Sequence, residues 1–307
     1  MIVKENQETI EKMYMEYAAK ERLQDLLPIL KEKIISDPDG VAFYYYKIGE
    51  IYAEHLHKIE NAQEYFQKSI DREQYIPAFE SLRSLYLAQE NLEKYLQLTE
   101  QQLSHTSSLQ EQVDLRISLA EIYFRQENMA KAEEHWQTIL QINPDHRTSM
   151  TRLSNLYKAQ ENWEKYVQIQ ENTIRFLKNQ DEISSLYLEL ANIYIDKLNK
   201  VEEAFHNYTL AHEQQTNNLD IVESHYALAK KVNNIAQIIY CLEEKIKLQP
   251  SFELWMELGK YHQDIKEQDK AVIAYQHAWE LKPTHWEAGD AIIQIYRQEG
   301  NYHALYP

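Results

Sequence analysis

The feature that most constrains how this chain can fold is an internal echo with a period of 71 residues. The segment 82–95 (LRSLYLAQENLEKY) returns as 153–166 (LSNLYKAQENWEKY). The dipeptide that ends at Tyr52 likewise returns, ending at Tyr123 and at Tyr194. Self-similarity at a fixed period is typical of proteins built from stacked repeats, in which each unit packs only on its neighbours. The echo therefore limits the fold, and it indicates an extended surface, but it does not identify a partner.

Apolar residues recur at helical spacing through most of the chain. Leu115, Leu119 and Ile122, for example, follow one another at steps of four and three, so they lie along one helix face. Turns that contain proline separate many of the helical segments, because proline lacks the backbone N–H and ends a helix. Pro28 falls inside a helical segment, which it can do without a kink if that helix begins near Asp25. The sequence predicts an all-α protein.

Within the repeated units, certain positions carry the same types of residue. In the last complete unit the first helix has a large residue, an apolar residue and a small residue, which are Trp255, Leu258 and Gly259. The second helix has a small, an aromatic and a small residue, and a proline follows it: Ala271, Tyr275, Ala278 and Pro283. This pattern resembles the tetratricopeptide repeat, a helix–turn–helix unit of about 34 residues. The segments 41–73, 110–143 and 183–214 match it as well, and the first and last of these have one extra residue in the turn.

Small residues at these positions let the two helices of a pair approach closely, and aromatic rings fill the space that is left. Four such small residues are Gly49, Ala120, Ala191 and Gly259. Tyr95 and Tyr166 stand where the family has alanine, so we expect their helix pairs to splay differently.

The resemblance implies an all-α solenoid, a right-handed superhelix that forms a single array over residues 1–307. We expect about eight helix pairs, near 6–36, 41–73, 77–106, 110–143, 146–180, 183–214, 218–248 and 251–282, with a partial unit at 285–307. The partial unit contains one helix near 285–298 and then a turn that has no second helix after it. This suggests self-association or a further domain at the C-terminal end.

Composition narrows the classes of partner. The chain has 49 acidic and 32 basic residues and a formal charge of −17, which argues against nucleic acid and favours a basic protein or peptide. The plainer interpretation is that excess glutamate keeps a helical array soluble. A single cysteine, Cys241, suits a reducing compartment, and no 18-residue apolar run is present. We therefore expect a cytoplasmic protein with no membrane contact.

The sequence lacks the motifs that would indicate catalysis. Nucleotide-binding glycine loops, nucleophile elbows and zinc-protease signatures are absent. His55 and His57 are close in sequence, but an i, i+2 pair does not face one way on a helix, so we expect solvated turn histidines and no metal site. His262 is expected in the interior, and Cys241 is expected to be buried and inert. We predict a protein that is not an enzyme and needs no cofactor.

In the repeat family, certain positions of the first helix of each pair line the concave face. Carried over to this chain, the positions that we predict to bind a partner are Phe43, Tyr46, Glu50, Glu54, Glu80, Ile117, Glu121, Phe124, Arg125, Thr151, Asn155, Lys158, Leu188, Asn192 and Ile195. Further positions toward the end include Lys230, Met256 and Lys260.

These residues favour a partner segment that is basic and partly apolar. Tyr46 and Phe124 would anchor it, and asparagines such as Asn155 would hold its backbone. We expect Glu50 and Glu121 to be exposed, so that reversing their charge weakens binding without changing thermal stability. A carboxylate clamp of the kind that binds chaperone tails is not expected, because its lysine and arginine positions are not basic here.

The function predicted is a non-catalytic protein–protein interaction scaffold. Two alternatives remain open at this point. One is a regulatory sensor that responds to a peptide, and the other is the substrate-recognition arm of a larger multidomain enzyme, such as a glycosyltransferase. A solvated inner face of any helical array would look similar by chance.

Overall fold

The computed structural model describes residues 2–298 and Gly300, with the side chains of residues 2–4 excluded. In this part of the chain there are 17 α-helices and no strand, which confirms the all-α prediction. The helices are α1 (Ile2–Ala19), α2 (Leu27–Ser36), α3 (Val41–Glu50), α4 (Ile59–Glu73), α5 (Ile76–Ala88), α6 (Leu92–His105), α7 (Leu109–Arg125), α8 (Met129–Ile142), α9 (Arg147–Ala159), α10 (Trp163–Ile174), α11 (Gln180–Asp196), α12 (Val201–Gln214), α13 (Leu219–Lys231), α14 (Ile235–Leu248), α15 (Phe252–Asp264), α16 (Gln268–Leu281) and α17 (Trp286–Gln298).

The chain divides into two compact units, Met1–Leu153 and Ser154–Pro307, and the boundary falls within α9. In each unit, helices that follow one another in sequence pack side by side. Odd-numbered helices from α3 onward are the first helices of pairs, and even-numbered helices from α4 onward are the second helices. That all pairs form a single array remains a prediction. Glu299 and residues 301–307, which carry the predicted partial unit beyond α17, lie outside the described residues.

The close approach predicted at the small positions is present. A Cβ atom added to Gly49 on α3 would lie 2.5 Å from a ring carbon of Phe66 on α4, and one added to Gly259 would lie 2.5 Å from a ring carbon of Tyr275. Only glycine allows an aromatic ring to sit this close to the helix backbone. The pairs that match the repeat pattern, such as α3–α4 and α7–α8, pack more extensively than α5–α6, which has Tyr95 at the small position.

The turns within pairs have a common backbone geometry. Glu90 and Glu161, which are 71 residues apart, both adopt the left-handed conformation, with φ of 55° and 53°. The asparagine that follows each of them caps the next helix. The side chain of Asn91 accepts the N–H of Lys94 at 3.2 Å, and Asn162 makes the equivalent bond. The echo in sequence is therefore an echo of one turn structure.

The two turns predicted to be one residue longer are accommodated in the same way. The chain widens to a π-helical turn at Ile51–His55, and the N–H of Leu56 reaches back five residues to the carbonyl of Ile51 at 3.1 Å. Leu198 makes the same five-residue bond to Ile193, also at 3.1 Å. The extra residue is thus absorbed in a wider turn.

A tyrosine–carboxylate bond also repeats with the 71-residue period. The hydroxyl of Tyr123 on α7 donates to Glu100 on α6, and the hydroxyl of Tyr194 on α11 donates to Glu171 on α10 at 2.8 Å. Each bond ties one pair to the next within its own unit. Glutamates that look like solvated surface in the sequence are therefore part of the packing between pairs.

Proline is also placed as the sequence requires. The helix α2 begins at Leu27, which puts Pro28 in its first turn, and a short 3₁₀ turn at Leu23–Leu26 precedes it. The N–H groups of a first turn have no partner inside the helix, so the proline removes no bond there.

His225 on α13 is a buried histidine, with 1% of its surface exposed. Its ring stacks on Tyr208 with 5.4 Å between the ring centroids, and its Nε2 lies 2.9 Å from Oε1 of Gln237. Burial lowers the pKa of His225 from 6.5 to about 4; the bond to Gln237 opposes this effect and the charge of His212 adds to it. The folded protein therefore holds this ring neutral at pH 7.

Replacing Gly259 by leucine should destabilise the second unit, because the new side chain would collide with Tyr275. Overpacking of this kind costs about 1–3 kcal/mol in free energy of unfolding. Thermal and urea unfolding would measure it. The matched control is Lys260→Leu, which adds the same side chain at an exposed neighbouring position. Equal stability of the two variants would contradict the close-contact interpretation.

The buried histidine predicts a pH dependence of stability. The unfolded chain takes up the proton of His225 near pH 6.5 and the folded chain only near pH 4, so stability is lost as the pH falls through that window. From pH 7.5 to pH 5 the loss due to this group is about 2 kcal/mol. His225→Gln keeps a donor for Gln237 but does not titrate, so urea unfolding at the two pH values should show a smaller loss than in the wild type. An equal loss would show that His225 does not contribute.

Candidate protein-binding surface

The predicted residues of α3 are held by other groups of the same unit. Phe43 is 5% exposed and belongs to the core, so its ring is not at the surface. Tyr46 is half-buried, packs against Tyr75 with 5.4 Å between the ring centroids, and donates its hydroxyl to Oε1 of Glu50 at 2.7 Å. Glu54, in the turn that follows, is exposed.

Lys47, which sequence reasoning did not single out, explains the position of Glu50. It is 6% exposed, and its amine lies 2.9 Å from Glu11 and 2.8 Å from Glu50. The amine also lies 4.7 Å from the centroid of the Tyr14 ring. Burial alone would lower the pKa of Lys47, but the bonds to the two carboxylates outweigh it and the pKa is raised. The i, i+3 spacing of Lys47 and Glu50 was the available signal for this pair.

Glu121 on α7 is similarly occupied. Its two carboxylate oxygens accept from the Nε and Nη2 nitrogens of Arg152 at 3.1 and 3.2 Å, so the pair is bidentate. The guanidinium also lies over Phe124, 5.5 Å from the ring centroid, and Phe124 packs on Trp136. The expectation that Glu50 and Glu121 are exposed is therefore wrong: both are half-buried in ion pairs.

The other predicted positions of the first unit are more open. Glu80, Arg125 and Thr151 are exposed, while Ile117 is half-buried. Glu80 has no ion-pair partner in the part of the chain that is described. It is the plainest example of a free carboxylate among the predicted positions.

In the second unit the predicted residues also differ in their availability. Asn155 is exposed, but Asn192 accepts the hydroxyl of Tyr208 at 2.9 Å. The amine of Lys158 pairs with Glu189 at 3.0 Å. Leu188 and Ile195 are half-buried. The two asparagines are therefore not equivalent as backbone-binding groups.

A groove lies between the first helices α15 and α17, with a volume of about 490 Å³. It includes Met256 and Lys260, which the repeat pattern placed on the inner face. It also includes acidic residues that sequence reasoning did not choose. The residues that line it are Phe252, Glu253, Met256, Glu257, Lys260, Tyr261, Asp264 and Glu287.

The charge of this groove, which we call the α15–α17 groove, is negative. Glu253 pairs with Lys282 at 2.6 Å, and Glu257 accepts from Lys230 at 2.9 Å and from Tyr226. Burial tends to raise the pKa of Glu257, but these two bonds outweigh it and the pKa is lowered, so this carboxylate is ionised at neutral pH.

Two carboxylates of the groove, Asp264 and Glu287, are exposed and have no ion-pair partner within the described residues. They stand beside one amine, that of Lys260. These free charges lie next to the partly apolar floor formed by Phe252 and Met256. The groove thus combines free negative charge with apolar surface.

The cysteine and the histidines that the sequence singled out are either buried or exposed in turns. Cys241 is fully buried, as predicted, and burial raises the pKa of its thiol to about 12, so it is not a thiolate at neutral pH. His262 is interior, with Nδ1 2.8 Å from Glu267. His55 and His57 are exposed turn residues. In the described part of the chain, no group of three or more His, Cys, Asp or Glu could hold a metal ion.

Among the described residues, none of the helices has the length and apolar character needed to cross a membrane.

The pair between Glu121 and Arg152 predicts a stability effect that an exposed carboxylate would not show. Glu121→Lys places an amine against the guanidinium, which should lower the free energy of unfolding by about 1 kcal/mol. The matched control is Glu80→Lys, which makes the same charge change at an unpaired carboxylate. Thermal unfolding of both variants would test this prediction, and equal melting temperatures would contradict the importance of the pair.

Comparison with known proteins agrees with the repeat pattern. The model of the tetratricopeptide repeat family matches residues 44–75 and 252–285. None of the curated proteins matches the chain.

Solved structures with similar folds include several repeat proteins. One is a tetratricopeptide repeat protein from Parabacteroides merdae, with 15% identity, coverage of 83% of this chain and 98% of that one, and a TM-score of 0.36. Another is Naa15/Naa10 bound to HypK-THB, with 16% identity, coverage of 87% and 42%, and a TM-score of 0.43. A third is YrrB, described as having an unusual peptide-binding site, with 16% identity, coverage of 58% and 90%, and a TM-score of 0.29.

The family matches fall on two of the helix pairs with a glycine–aromatic contact. Residues 44–75 cover most of α3–α4, and residues 252–285 cover α15–α16. Both segments contain the glycine on the first helix and the aromatic ring on the second that the structure brings together. The chain therefore contains helix–turn–helix units of the tetratricopeptide repeat family at these two segments.

Proposed function

We propose that this chain is a non-catalytic scaffold that binds a basic, partly apolar segment of another protein. The observation that carries this proposal is the α15–α17 groove, where two unpaired carboxylates border an apolar floor. The segment would lie against the first helices of the second unit.

The groove has the two components that such binding needs. Tyr261 is half-buried and offers aromatic surface, above a floor formed by Phe252 and Met256, whose side chains are only 6% and 7% exposed. Burial of apolar and aromatic groups supplies most of the affinity of a protein contact. Asp264 and Glu287 offer negative charge at the rim, which speeds association with a basic partner and makes it depend on salt.

The carboxylates at the predicted and observed surface positions differ in whether they are free to pair with a partner. Glu50 and Glu121, chosen from the sequence, already neutralise Lys47 and Arg152, so a partner would have to break an internal pair to use them. Asp264 and Glu287 carry no such cost. We therefore propose that the acidic contact lies in the last pairs of the second unit.

The proposal can be tested by charge reversal in the groove. Asp264→Lys with Glu287→Lys should weaken binding of a fluorescent peptide of alternating lysine and leucine about tenfold, because two favourable rim contacts become repulsive. Fluorescence anisotropy at low and physiological salt would measure the dissociation constant. Melting temperatures should stay close to that of the wild type, since both carboxylates are exposed and unpaired.

The control has to separate a located contact from the general attraction of a basic peptide to an acidic protein. Glu134→Lys with Glu213→Lys makes the same change of net charge at exposed positions on second helices. If this control weakens binding as much as the groove variant does, the attraction is general and the groove proposal is wrong.

A further inference from the structure

A second cavity in the same unit lies outside the surface that the repeat pattern indicates. It is a cleft of about 400 Å³ between the second helices α14 and α16, with α15 beneath it. Its lining is mostly apolar, and the residues are Glu243, Ile246, Lys247, Trp255, Leu258, His262, Lys270, Ile273 and Ala274. Apolar cavities of this size with a few polar groups are typical binding sites.

This α14–α16 cleft is distinct from the α15–α17 groove. The groove uses residues such as Met256 and Lys260, whereas the cleft uses Trp255, Leu258 and His262 of the same helix. At about 100° per residue, these two sets lie on opposite faces of α15. A ligand in the cleft would not compete for the groove residues.

The apolar lining is open to solvent where it meets the mouth of the cleft. Ile273 is 51% exposed, so its side chain is accessible to an occupant of the cleft. Trp255 is half-buried and lies against His277, with 4.5 Å between the ring centroids. A ring that enters the cleft would therefore contact an aromatic face and an aliphatic side chain together.

The charged residues at the mouth of the cleft differ in whether they already have an ion-pair partner. Both lysines are already paired, Lys247 with Glu244 at 2.6 Å and Lys270 with Glu267 at 3.1 Å. Glu243 is exposed and has no ion-pair partner within 4.0 Å among the described residues. The pKa of Lys247 is raised mainly by its bond to Glu244, and the charge of Glu243 adds to this effect. Together with Glu244 and Glu267, the carboxylates at the mouth outnumber the two lysines, so its net charge is negative.

We propose that the α14–α16 cleft binds an aromatic side chain of a partner protein that has a lysine or arginine next to it in sequence. The ring would be buried against Trp255 and Ile273, and the neighbouring cation would pair with Glu243. The volume accepts one large side chain, and the free carboxylate selects the sign of its neighbour.

The test uses two hexapeptides that differ only in charge, one with a central Phe-Lys dipeptide and one with Phe-Glu. The reporter is the indole N–H signal of Trp255 in a ¹H–¹⁵N spectrum of the whole chain, assigned with Trp255→Phe. We expect the Phe-Lys peptide to shift this signal and not that of Trp163, and the Phe-Glu peptide to bind more weakly.

Two variants locate the contacts. Glu243→Gln should weaken binding of the Phe-Lys peptide about threefold, as expected for loss of an exposed ion pair. It should not weaken binding of the Phe-Glu peptide. Ile273→Asn should abolish the shift. Its matched control is Ile265→Asn, which makes the same change at an exposed isoleucine outside the cleft and should bind as the wild type does.

Several results would overturn the proposal. Equal binding of the two peptides would show that Glu243 does not select the charge of the occupant. If neither peptide shifted the Trp255 signal, the cleft would not be the binding site. Binding of free phenethylamine with no binding of the Phe-Lys peptide would show that the cleft takes a small molecule and not a partner side chain. Because the groove residues are unchanged in these variants, loss of cleft binding leaves the proposed function of the groove intact.

Discussion

Close packing within the helix pairs depends on a small residue on the first helix, and in two pairs that residue lets an aromatic ring contact the backbone. In α3–α4 and α15–α16 a glycine lies under a ring, at a distance that no Cβ atom would allow. Because the ring is then held by backbone and not by a flexible side chain, the two helices keep one separation. The pair α5–α6, which has Tyr95 at the small position of its second helix, packs less extensively.

Many of the acidic residues contribute to packing, which the net charge of the chain does not show. Tyr123 and Tyr194 donate to carboxylates of the preceding pair, and Lys47 and Arg152 are each held by glutamate within the first unit. A carboxylate bound in this way contributes to packing and is not free for a partner. Charge in the sequence is therefore a poor guide to charge at a binding surface, and this is why we propose the free carboxylates of α15 and α17 as the acidic contact.

The second unit offers two surfaces of different character on the same helix. The α15–α17 groove is acidic and partly apolar, whereas the α14–α16 cleft is mostly apolar with one free carboxylate at its mouth. Because both cavities border α15, we propose that this one helix contacts two partner segments at once. That arrangement suits a scaffold, because the helix provides both surfaces without any change in its own backbone.

The sequence by itself determined the helices, the turns between them and the small positions at which they meet. These features depend on local rules: helical spacing of apolar residues, the capping asparagine after a left-handed residue, and glycine or alanine opposite a ring. The tertiary structure decided which charged and aromatic residues remain available. Phe43 went into the core, Glu121 met Arg152 31 residues away, and Glu287 came to lie across a groove from Asp264. Those outcomes depend on contacts between helices that are distant in sequence, and a repeat pattern does not contain that information, since it gives each residue its position on a helix but not its partner.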